Sequence, residues 1–436
     1  MSRRAAAAGS QSSLREANKA LVVSTVQRYG GLTQVELAAA TGLSAATVST
    51  IVRDLLAAGV VDTAVTTRSG RRAQMVTLAR RVGLAVGIQI GHRHLRVVLG
   101  DFAHEVVAEQ SLPLPHEHRS DTSLDRAALL VVDLLERIGS ELDEVVGIGI
   151  GVPAPVDAST GMVSVPGVLR GWEGEHLAQV VGKRLGRPVH VDNDANLGAL
   201  AEYTLGAARG YRDAVYVRAS YGTGGGIVIN GRVHRGFAGT AGEIGHVQVD
   251  PQGLICRCGS RGCLDTVVGA AALVEPLRAS QGPLTLRDVI ARAREGDPGT
   301  AQVVADAGAT IGAVVAGLGM AVNPQCVVVG GELAETGEVL LQPMRDAIRR
   351  RVLLNQIAPL EVVPAELGGR AEVVGALVLA LQSADVPVRV EDAADLSLAR
   401  PVDGVHDPHD EHDEHDEHDE HDENAQDEDD RRAAVG

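Results

Sequence analysis

One histidine and three of the chain's four cysteines fall within eighteen residues, at His246, Cys256, Cys258 and Cys263. One imidazole and three thiolates are the ligand number and the soft donor set that Zn²⁺ prefers in a closed tetrahedral site. The spacing is not a common zinc-finger pattern, so reduced thiols beside an unrelated histidine are the alternative. Glycines within the segment free the backbone to turn around one point. The segment predicts a structural zinc site with no coordination position left for a reacting water.

Length and composition bound the class of protein that carries this segment. A chain of 436 residues is long enough for two or three domains, and with 2% aromatic residues its cores must be aliphatic. Four cysteines indicate a reducing compartment rather than a disulfide scaffold. The N-terminal segment lacks the apolar run of a signal peptide, and no window of about 18 uninterrupted apolar residues suggests a membrane span. We therefore expect a soluble cytoplasmic protein with no membrane partner.

The formal charge of −17 is unevenly distributed along the chain. Residues 1–80 hold ten Lys/Arg and four Asp/Glu, a balance of +6, whereas residues 403–430 hold sixteen acids and no Lys or Arg, a balance of −16. A basic N-terminal region suits a nucleic-acid contact, and an acidic C-terminal region suits a solvated appendage.

Residues 13–80 carry the pattern of a winged helix-turn-helix. After a helix from about Leu14 to Tyr29, Thr33 and Glu36 form a capping box for a short helix. A tight turn at Gly42 follows, and Ser44 caps a further helix that runs to about residue 58. The buried face of that helix is expected to consist of Val48, Ile51, Leu55 and Leu56.

A strand pair with a basic tip at residues 68–72 completes the wing. In such modules the recognition helix enters the major groove, and wing arginines contact phosphates or the minor groove. The candidate DNA-binding residues are Ser44, Ala45, Ala46, Thr47, Ser49, Thr50, Arg53, Arg71 and Arg72. A helix pair with a hairpin can also serve only in dimerisation or packing, but the balance of +6 favours double-stranded operator DNA as a partner.

From Gly83 onward, short aliphatic runs bounded by glycine alternate with helical stretches. Strands that are apolar on both faces, placed between helices, predict an α/β domain of two lobes. A strand-turn-strand pattern at residues 85–100 recurs at 214–230, which indicates a duplicated architecture.

Four motifs of this region resemble one known family. They are GEIGH at 242–246, DNDAN at 192–196, GIVING at 226–231 and NPQCVVVGGEL at 323–333. They resemble the ROK family of repressors, open reading frames and kinases over residues 83–381, and the winged helix-turn-helix extends the similarity to the family's transcriptional regulators. The resemblance implies an actin-like, ribonuclease-H-like ATPase fold with a sugar cleft between its lobes. It also favours the zinc assignment.

The family's kinases and regulators differ at the nucleotide site. The kinases hold phosphates with an aspartate and a Gly-Gly-Thr turn, because open backbone N–H donors and a carboxylate that organises Mg²⁺ are needed there. In this chain Gln89 replaces the carboxylate, and His92 and Arg93 replace small turn residues. Ser220 and Tyr221 fall on the family's second phosphate loop. These differences predict a chain without phosphoryl-transfer activity.

This chain matches the family's sugar-binding positions more fully than it matches the nucleotide site. Asn193 and Asp194 match a pair in which the asparagine binds sugar hydroxyls and the aspartate is the kinases' general base. The alternative for Asp194 is that it only caps the next helix. Glu243 and His246 match residues that bind sugar hydroxyls, with the second nitrogen of His246 directed to zinc. Asp265 stands where the family usually has glutamate.

The sequence thus predicts a cytoplasmic regulator, a repressor, with a structural zinc, a sugar effector and a homodimer or homotetramer on a palindromic operator. The expected limits are 1–12 disordered, 13–80 DNA-binding, 83–384 sugar-sensing and 385–436 a disordered His/Asp/Glu-rich tail. Weak binding of Zn²⁺, Ni²⁺ or Cu²⁺ by that tail is an alternative.

A second interpretation of the sequence is a sugar kinase fused to a DNA-binding domain. A DNA-binding protein whose cleft binds nothing is the third, since the loop at 165–172 lacks the asparagine that many relatives have.

Overall fold

The computed structural model describes residues 11–68, 71–115, 118–157, 160–163, 169, 171–172, 174–352 and 359–386. The first ten residues, the tip of the wing at Ser69 and Gly70, the side chain of Arg71, the loop at 164–168 and the tail from 387 onward lie outside the described residues. The sequence-based expectations for them stay predictions.

The N-terminal domain has the element order of a winged helix-turn-helix. Its helices are α1 (Gln11–Tyr29), α2 (Gln34–Thr41) and α3 (Ala45–Ala57), and its strands are β1 (Leu32–Thr33), β2 (Val61–Arg68) and β3 (Arg71–Leu78). The strands form one antiparallel sheet in the order β1-β3-β2. In the β2–β3 hairpin Arg68 pairs with Arg71, so this hairpin is the wing.

Local hydrogen bonds explain where α2 and α3 begin and end. The Thr33 hydroxyl accepts from the Glu36 amide at 3.3 Å, and the Glu36 carboxylate accepts from the Thr33 amide at 2.8 Å. Gly42 ends α2 with a φ of 72°, a left-handed conformation that glycine adopts at little cost. The Ser44 hydroxyl accepts from the Thr47 amide at 3.1 Å and so caps α3.

The buried face of α3 differs from the expectation at one position. Val48, Ile51 and Leu55 are buried as predicted, but Leu56 is 44% exposed and Val52 is buried instead. Because successive residues of a helix are rotated by about 100°, Leu56 lies on the flank of the stripe that the other four form. The prediction for Leu56 was wrong.

The first lobe is built on a five-stranded sheet. Its strands are β4 (Leu84–Ile90), β5 (His94–Asp101), β6 (Val106–Pro113), β7 (Val145–Val152) and β8 (Val189–Asn193). In the order β6-β5-β4-β7-β8, the first three strands are antiparallel and the last two run parallel to β4. The helices of this lobe are α4 (Ser120–Arg137) and α5 (Leu177–Leu185). Every residue of β4 is buried, as expected for a strand covered on both faces.

The second lobe repeats this arrangement. After α6 (Asp194–Thr204), its strands are β9 (Ala214–Ala219), β10 (Thr223–Ile229), β11 (Arg232–Val233), β12 (Cys326–Gly330) and β13 (Glu361–Pro364). The order β11-β10-β9-β12-β13 has the same pattern of antiparallel and parallel neighbours. Its helices are α7 (Asp265–Val268), α8 (Ala270–Val274), α9 (Arg278–Gln281), α10 (Leu286–Arg294), α11 (Pro298–Val322) and α12 (Glu338–Arg351). The predicted two-lobed, duplicated fold is confirmed.

The last helix, α13 (Ala371–Ser383), packs against α6 and against strands of the first sheet with almost no intervening side chain. A Cβ on Gly375 would lie 1.9 Å from the carbonyl oxygen of Leu197 in α6. A Cβ on Gly149 of β7 would lie 1.9 Å from the carbonyl oxygen of Ala376. Because the backbones touch, α6, α13 and the sheet can shift only together.

The winged helix-turn-helix domain is joined to this packed layer through α1. The Gln27 amide donates to the carbonyl oxygens of Leu381 at 2.8 Å and Ala384 at 2.7 Å. The Gln382 amide donates to the Arg28 carbonyl oxygen at 2.9 Å. Val22 and Val26 of α1 share one buried apolar cluster with α13. The two domains therefore have a common core rather than a loose linker.

One helix of the described ranges, α11, is long and apolar enough to cross a membrane by length and composition, and α2 with α3 would pass the same test as one bent span. In the structure α11 packs against α10 and α12. Its residues Ile311, Val315 and Ala316 are buried in the core of the second lobe. The apolarity of α11 is thus accounted for as that of a core helix.

Candidate ligand cleft and metal centre

The four predicted metal ligands come together at one point. One ligand atom from each of His246, Cys256, Cys258 and Cys263 lies within 4.8 Å of all the others. The Cys256 Sγ lies 3.5 Å from His246 Nδ1, and the Cys258 Sγ lies 3.7 Å from the Cys263 Sγ. A tetrahedral Zn²⁺, with bonds of about 2.0 Å to nitrogen and 2.3 Å to sulfur, separates neighbouring ligand atoms by about 3.5 to 3.8 Å. The donor set and its spacing therefore fit this ion.

Tight turns of the backbone bring these ligands together. The Gly259 amide donates to the Cys256 carbonyl at 2.9 Å, and the Cys256 amide donates to the Ser260 carbonyl at 2.7 Å. Gly262 has a φ of 62°, and a Cβ there would lie 1.5 Å from the carbonyl oxygen of Asp250, so only glycine fits. His246 ends a short 3₁₀ helix. Burial lowers the pKa of His246, which favours the neutral imidazole that metal ligation requires.

A polar cleft lies between the lobes beside this cluster, at the carboxyl ends of β7 and β8. It is lined by His92, Pro153, Ala154, Pro155, Asn193, Asp194, Arg218, Gly222, Thr223, Gly224, Glu243, His246, Arg257 and Asp265. All five residues predicted to bind sugar are among them, although they come from distant parts of the chain. Carboxyl ends of parallel strands are the usual place for ligands in α/β folds.

Asn193 and Asp194 have different tasks at the start of α6. The Asn193 Oδ1 accepts from the Ala195 amide at 2.8 Å, and its Nδ2 donates to the Ala154 carbonyl at 3.1 Å. Asn193 is therefore the cap of α6, a task that the sequence had offered to Asp194 as the alternative to ligand binding. The Asp194 Oδ2 receives no hydrogen bond from the described residues and lies 3.4 Å from Arg218 Nε. Burial raises the pKa of Asp194 to about 6.

Glu243 and Asp265 line the opposite wall of the cleft. The Asp265 Oδ1 accepts from the Thr223 amide at 2.6 Å, and its Oδ2 lies 3.5 Å from Arg257. Burial, with smaller contributions from the carboxylates of Asp194 and Asp265, raises the pKa of Glu243 to about 7. Several carboxyl oxygens thus face one small space, an arrangement suited to accepting hydrogen bonds from hydroxyl groups.

Most of the predicted DNA-binding side chains lie on the exposed face of α3. Ser44, Ala45, Ala46, Ser49, Thr50 and Arg53 are exposed, and so is Arg72 in the wing. Thr47 is half-buried, with its hydroxyl 2.8 Å from that of Ser44. Small residues on this face leave the helix backbone accessible to a groove, as a recognition helix requires.

Comparison with known proteins identifies both parts of the chain. The ROK family profile matches residues 85–383, and the MarR family profile matches residues 16–73. The chain belongs to the ROK family. It is 28% identical to the xylose repressor of Caldicellulosiruptor bescii over 393 residues, which cover 86% of this chain and 97% of that one. It is 31% identical to the DNA-binding transcriptional dual regulator NagC of Escherichia coli K12 over 376 residues, which cover 83% and 91% of the two chains.

Solved structures of ROK proteins match the fold to different extents. A ROK family transcriptional regulator, a homolog of the E. coli MLC protein, has a TM-score of 0.68 and 26% identity and covers 88% of this chain and 98% of its own. A ROK family glucokinase from Streptomyces griseus, in complex with glucose and AMPPNP, has a TM-score of 0.63 and 31% identity, and covers 69% of this chain and 100% of its own. The similarity to the regulator thus extends over more of the chain.

The residues that the sequence comparison with the kinases singled out, as expected differences at the nucleotide site, are only partly at the cleft. Gln89 is buried, and its amide nitrogen lies 3.4 Å from a carboxylate oxygen of Glu372 in α13. His92 lines the cleft, whereas Arg93 is exposed. The Ser220 hydroxyl donates to Glu332, and Tyr221 is half-buried.

Two cleft residues, Arg218 and Arg257, were missed by the sequence reasoning. Arg218 lies in β9, where every residue is buried, and its Nε donates to Glu372 at 3.0 Å. A single arginine in the apolar run AVYVRA was the available signal, because a buried arginine must have acidic partners. Arg257 lies between the candidate metal ligands Cys256 and Cys258, and no sequence signal of its own marks it as a cleft residue.

Proposed function

We propose that this ROK protein is a DNA-binding transcriptional regulator, a repressor, whose activity responds to a sugar or sugar derivative bound in the cleft. The supporting relatives are named as repressors or regulators, and they align over the DNA-binding region and the ROK domain together. In this division of labour, residues 13–80 bind operator DNA and residues 83–384 sense the effector.

The main support for the proposal is the structural connection between the ligand cleft and the DNA-binding domain. Helix α6 starts at Asp194 in the cleft, and its far end places Leu200 and Ala201 in the apolar cluster that contains Val22 and Val26 of α1. Helix α13 starts beside Arg218 and ends at the hydrogen bonds to Gln27. Rigid elements therefore connect the ligand cleft with the DNA-binding domain, as a ligand-responsive regulator requires.

Zinc bound by His246 and the three cysteines is the structural ion of this proposal. All four positions of a tetrahedral site are filled by protein ligands, so the ion would supply rigidity and a fixed imidazole orientation rather than a reactive water. His246 would present its other nitrogen to the effector, next to Glu243, Asp194 and Asp265.

A regulator without phosphoryl transfer is favoured over a sugar kinase. An amide at position 89 cannot supply the anionic oxygen that organises Mg²⁺, and the side chain of His92 crowds a turn that the kinases build from small residues. ROK kinases are nevertheless structural neighbours, so a kinase fused to a DNA-binding domain is the second candidate function.

We further propose a cytoplasmic homodimer or homotetramer on a palindromic operator, since helix-turn-helix proteins read two half-sites with two recognition helices. The exposed residues of α3 with Arg53 would contact bases, and Arg71 and Arg72 of the wing would contact phosphates or the minor groove.

The test is a shift assay on the DNA that flanks the chain's own coding region, repeated with D-xylose, D-glucose and N-acetyl-D-glucosamine. We expect tight binding that one of these sugars weakens at least tenfold, and no weakening in the Asp194→Asn variant. Binding that none of a broader sugar panel alters would favour a DNA-binding protein with an inert cleft. Sugar phosphate formed from ATP and Mg²⁺ would favour the kinase.

A further inference from the structure

Arg218 is a buried cation at the cleft, 5% exposed, and the proposed function gives it no role in ligand binding. We infer that Arg218 is a positioning residue that keeps Asp194 ionised, as a hydrogen-bond acceptor for ligand hydroxyls, and ties it to Glu372 at the start of α13. The inference rests on the proposed function for its ligand but not for its electrostatics.

The geometry places one cation between two acids. Arg218 Nε lies 3.4 Å from Asp194 Oδ2 and 3.0 Å from Glu372 Oε1, and the side chains of all three are at most 7% exposed. The Tyr216 hydroxyl also donates to Glu372, at 3.2 Å. Since Arg218 is in β9, Asp194 in α6 and Glu372 in α13, the guanidinium joins three elements.

The charges around Asp194 explain why the cation is needed. Glu372 faces it from α13 and Glu332 from the turn after β12, and both carboxylates oppose its ionisation. Glu243 lies in the segment before His246, where burial and then the charge of Asp194 raise its own pKa. Arg218 is the cation that acts on Asp194 against them, and burial still raises the pKa of Asp194 to about 6. Without Arg218 the carboxyl group would hold its proton at neutral pH. A protonated carboxyl donates one hydrogen bond and loses acceptor capacity, so it would recognise a different pattern of hydroxyls.

Gln89 fits the same arrangement. Its amide nitrogen lies 3.4 Å from Glu372 Oε2, whereas Arg218 Nε donates to Glu372 Oε1. A carboxylate at position 89 would repel Glu372 and compete for the guanidinium, whereas an amide leaves Arg218 to its two partners. An amide at position 89 is therefore compatible with an arginine at 218 that has two acidic partners.

The first test measures Asp194 itself and needs no ligand. The full chain is labelled with ¹³C-aspartate, and the Asp194 carboxyl resonance is assigned by its loss in Asp194→Asn and titrated by NMR. We expect a midpoint near pH 6 in the wild type. The midpoint should rise by at least one unit in Arg218→Met and less in Arg218→Met/Glu372→Gln, where an opposing carboxylate is also removed. Arg218→Lys, which keeps the charge, should stay close to the wild type.

If Arg218→Met fails to fold, the double variant still decides the question. It replaces Glu372 with a neutral glutamine, so no buried carboxylate at position 372 is left without its cation. Arg187→Met is the control, because it removes an ion pair with Asp143 outside the cleft and should leave the midpoint unchanged. An unchanged midpoint in a folded Arg218 variant overturns the inference.

The second test uses whichever of D-xylose, D-glucose and N-acetyl-D-glucosamine binds the wild type in calorimetry. Each variant is compared with the wild type at the same pH between 7 and 8.5, because Glu243 in the same cleft, with a pKa of about 7, also titrates near this range. We expect Arg218→Met/Glu372→Gln to bind at least tenfold more weakly at pH 7.5 and to recover part of that loss at pH 8.5. A loss that is the same at every pH would mean that Arg218 only supports the fold, and would overturn the inference. If none of the three sugars binds the wild type, the effector proposal fails while the titration still decides the role of Arg218.

Discussion

His246 Nε2 lies 4.0 Å from the Glu243 carboxylate, while the Nδ1 atom of the same ring faces the Cys256 thiol at 3.5 Å. One imidazole thus belongs to the metal cluster on one edge and to the ligand cleft on the other. A metal bound through Nδ1 would fix the orientation in which Nε2 meets the ligand. Loss of the metal is therefore expected to abolish ligand binding in the cleft as well.

Cys258→Ser tests this dependence. We expect the wild type to hold about one zinc per chain by mass spectrometry, as four protein ligands imply, and the variant to lose both the metal and the sugar response. DNA binding should survive, because none of the four candidate ligands belongs to the apolar cluster that the winged domain shares with α13. Cys326→Ala, which removes the remaining cysteine from buried β12, is the matched control and should keep both properties. A variant without zinc that still responds to sugar would separate the two sites.

The wing contact is tested by Arg71→Ala combined with Arg72→Ala. If both arginines neutralise phosphates, affinity should fall for all DNA sequences alike, and the slope of log K against log salt should lessen by roughly one per contact removed. Arg287→Ala, at an exposed position of α10, removes a positive charge far from α3 in the chain and should leave the slope unchanged. A weaker affinity with the original salt slope would argue against the wing contact.

Asp194→Asn tests whether the ionised carboxylate of Asp194 lowers the stability of the folded protein. The pKa of Asp194 is raised from 3.8 to about 6, so the wild type binds its proton more tightly when folded. The associated stability is present below pH 3.8 and is lost as the pH rises through 6, which amounts to about 3 kcal/mol for two pKa units. The melting temperature of the variant relative to the wild type should therefore be higher at pH 7.5 than at pH 4.5, although sugar binding is lost. A difference that does not change with pH would contradict this account.

The joint between α1 and α13 is tested by Gln27→Leu. Two carbonyl groups at the end of α13 would lose their donor, at a cost of about 1–3 kcal/mol in the free energy of unfolding. We expect sugar affinity by calorimetry to stay near the wild-type value while the sugar-induced change in DNA affinity becomes smaller. Gln342→Leu breaks an exposed hydrogen bond to Asp346 and serves as the control. An intact sugar response in Gln27→Leu would place the coupling elsewhere.

Features set by neighbouring residues could be predicted from the sequence. The capping box of Thr33 and Glu36 and the turn at Gly42 each depend on a few adjacent positions, and the structure has them as expected. The four candidate metal ligands lie within one segment, so their meeting at one point could also be expected. The repeated strand patterns predicted two similar lobes, because strands buried on both faces must be covered by helices.

Features that depend on distant residues could not be predicted in the same way. Arg218 and Glu372 are 154 positions apart, and no local pattern indicates that β9 and α13 meet at the cleft. The exposure of Leu56 depends on which side of α3 the other elements cover, and helical periodicity alone allows either Val52 or Leu56 to complete the buried stripe. Capping of α6, which was the alternative role for Asp194, belongs to Asn193, because the exact first residue of a helix decides which side chain accepts from its free amides.

Gln89→Asp tests the assignment of the cleft to ligand sensing rather than phosphoryl transfer. The substitution introduces the acid that the resemblance to the kinases predicts at this position, but it also brings a second carboxylate close to Glu372, whose oxygen lies 3.4 Å from the Gln89 amide. Two buried carboxylates that share one guanidinium repel each other, so we expect a lower melting temperature at pH 7.5 and a partial recovery at pH 5, where one of them takes up a proton. Neither the wild type nor the variant should form sugar phosphate from ATP and Mg²⁺. Gln89→Leu is the control, because it removes the amide without adding a charge and is of similar size. It therefore separates the effect of losing the amide from the effect of the added carboxylate. Turnover in Gln89→Asp would show that residue 89 alone prevents phosphoryl transfer in this cleft, and the argument from the crowding by His92 would then be wrong.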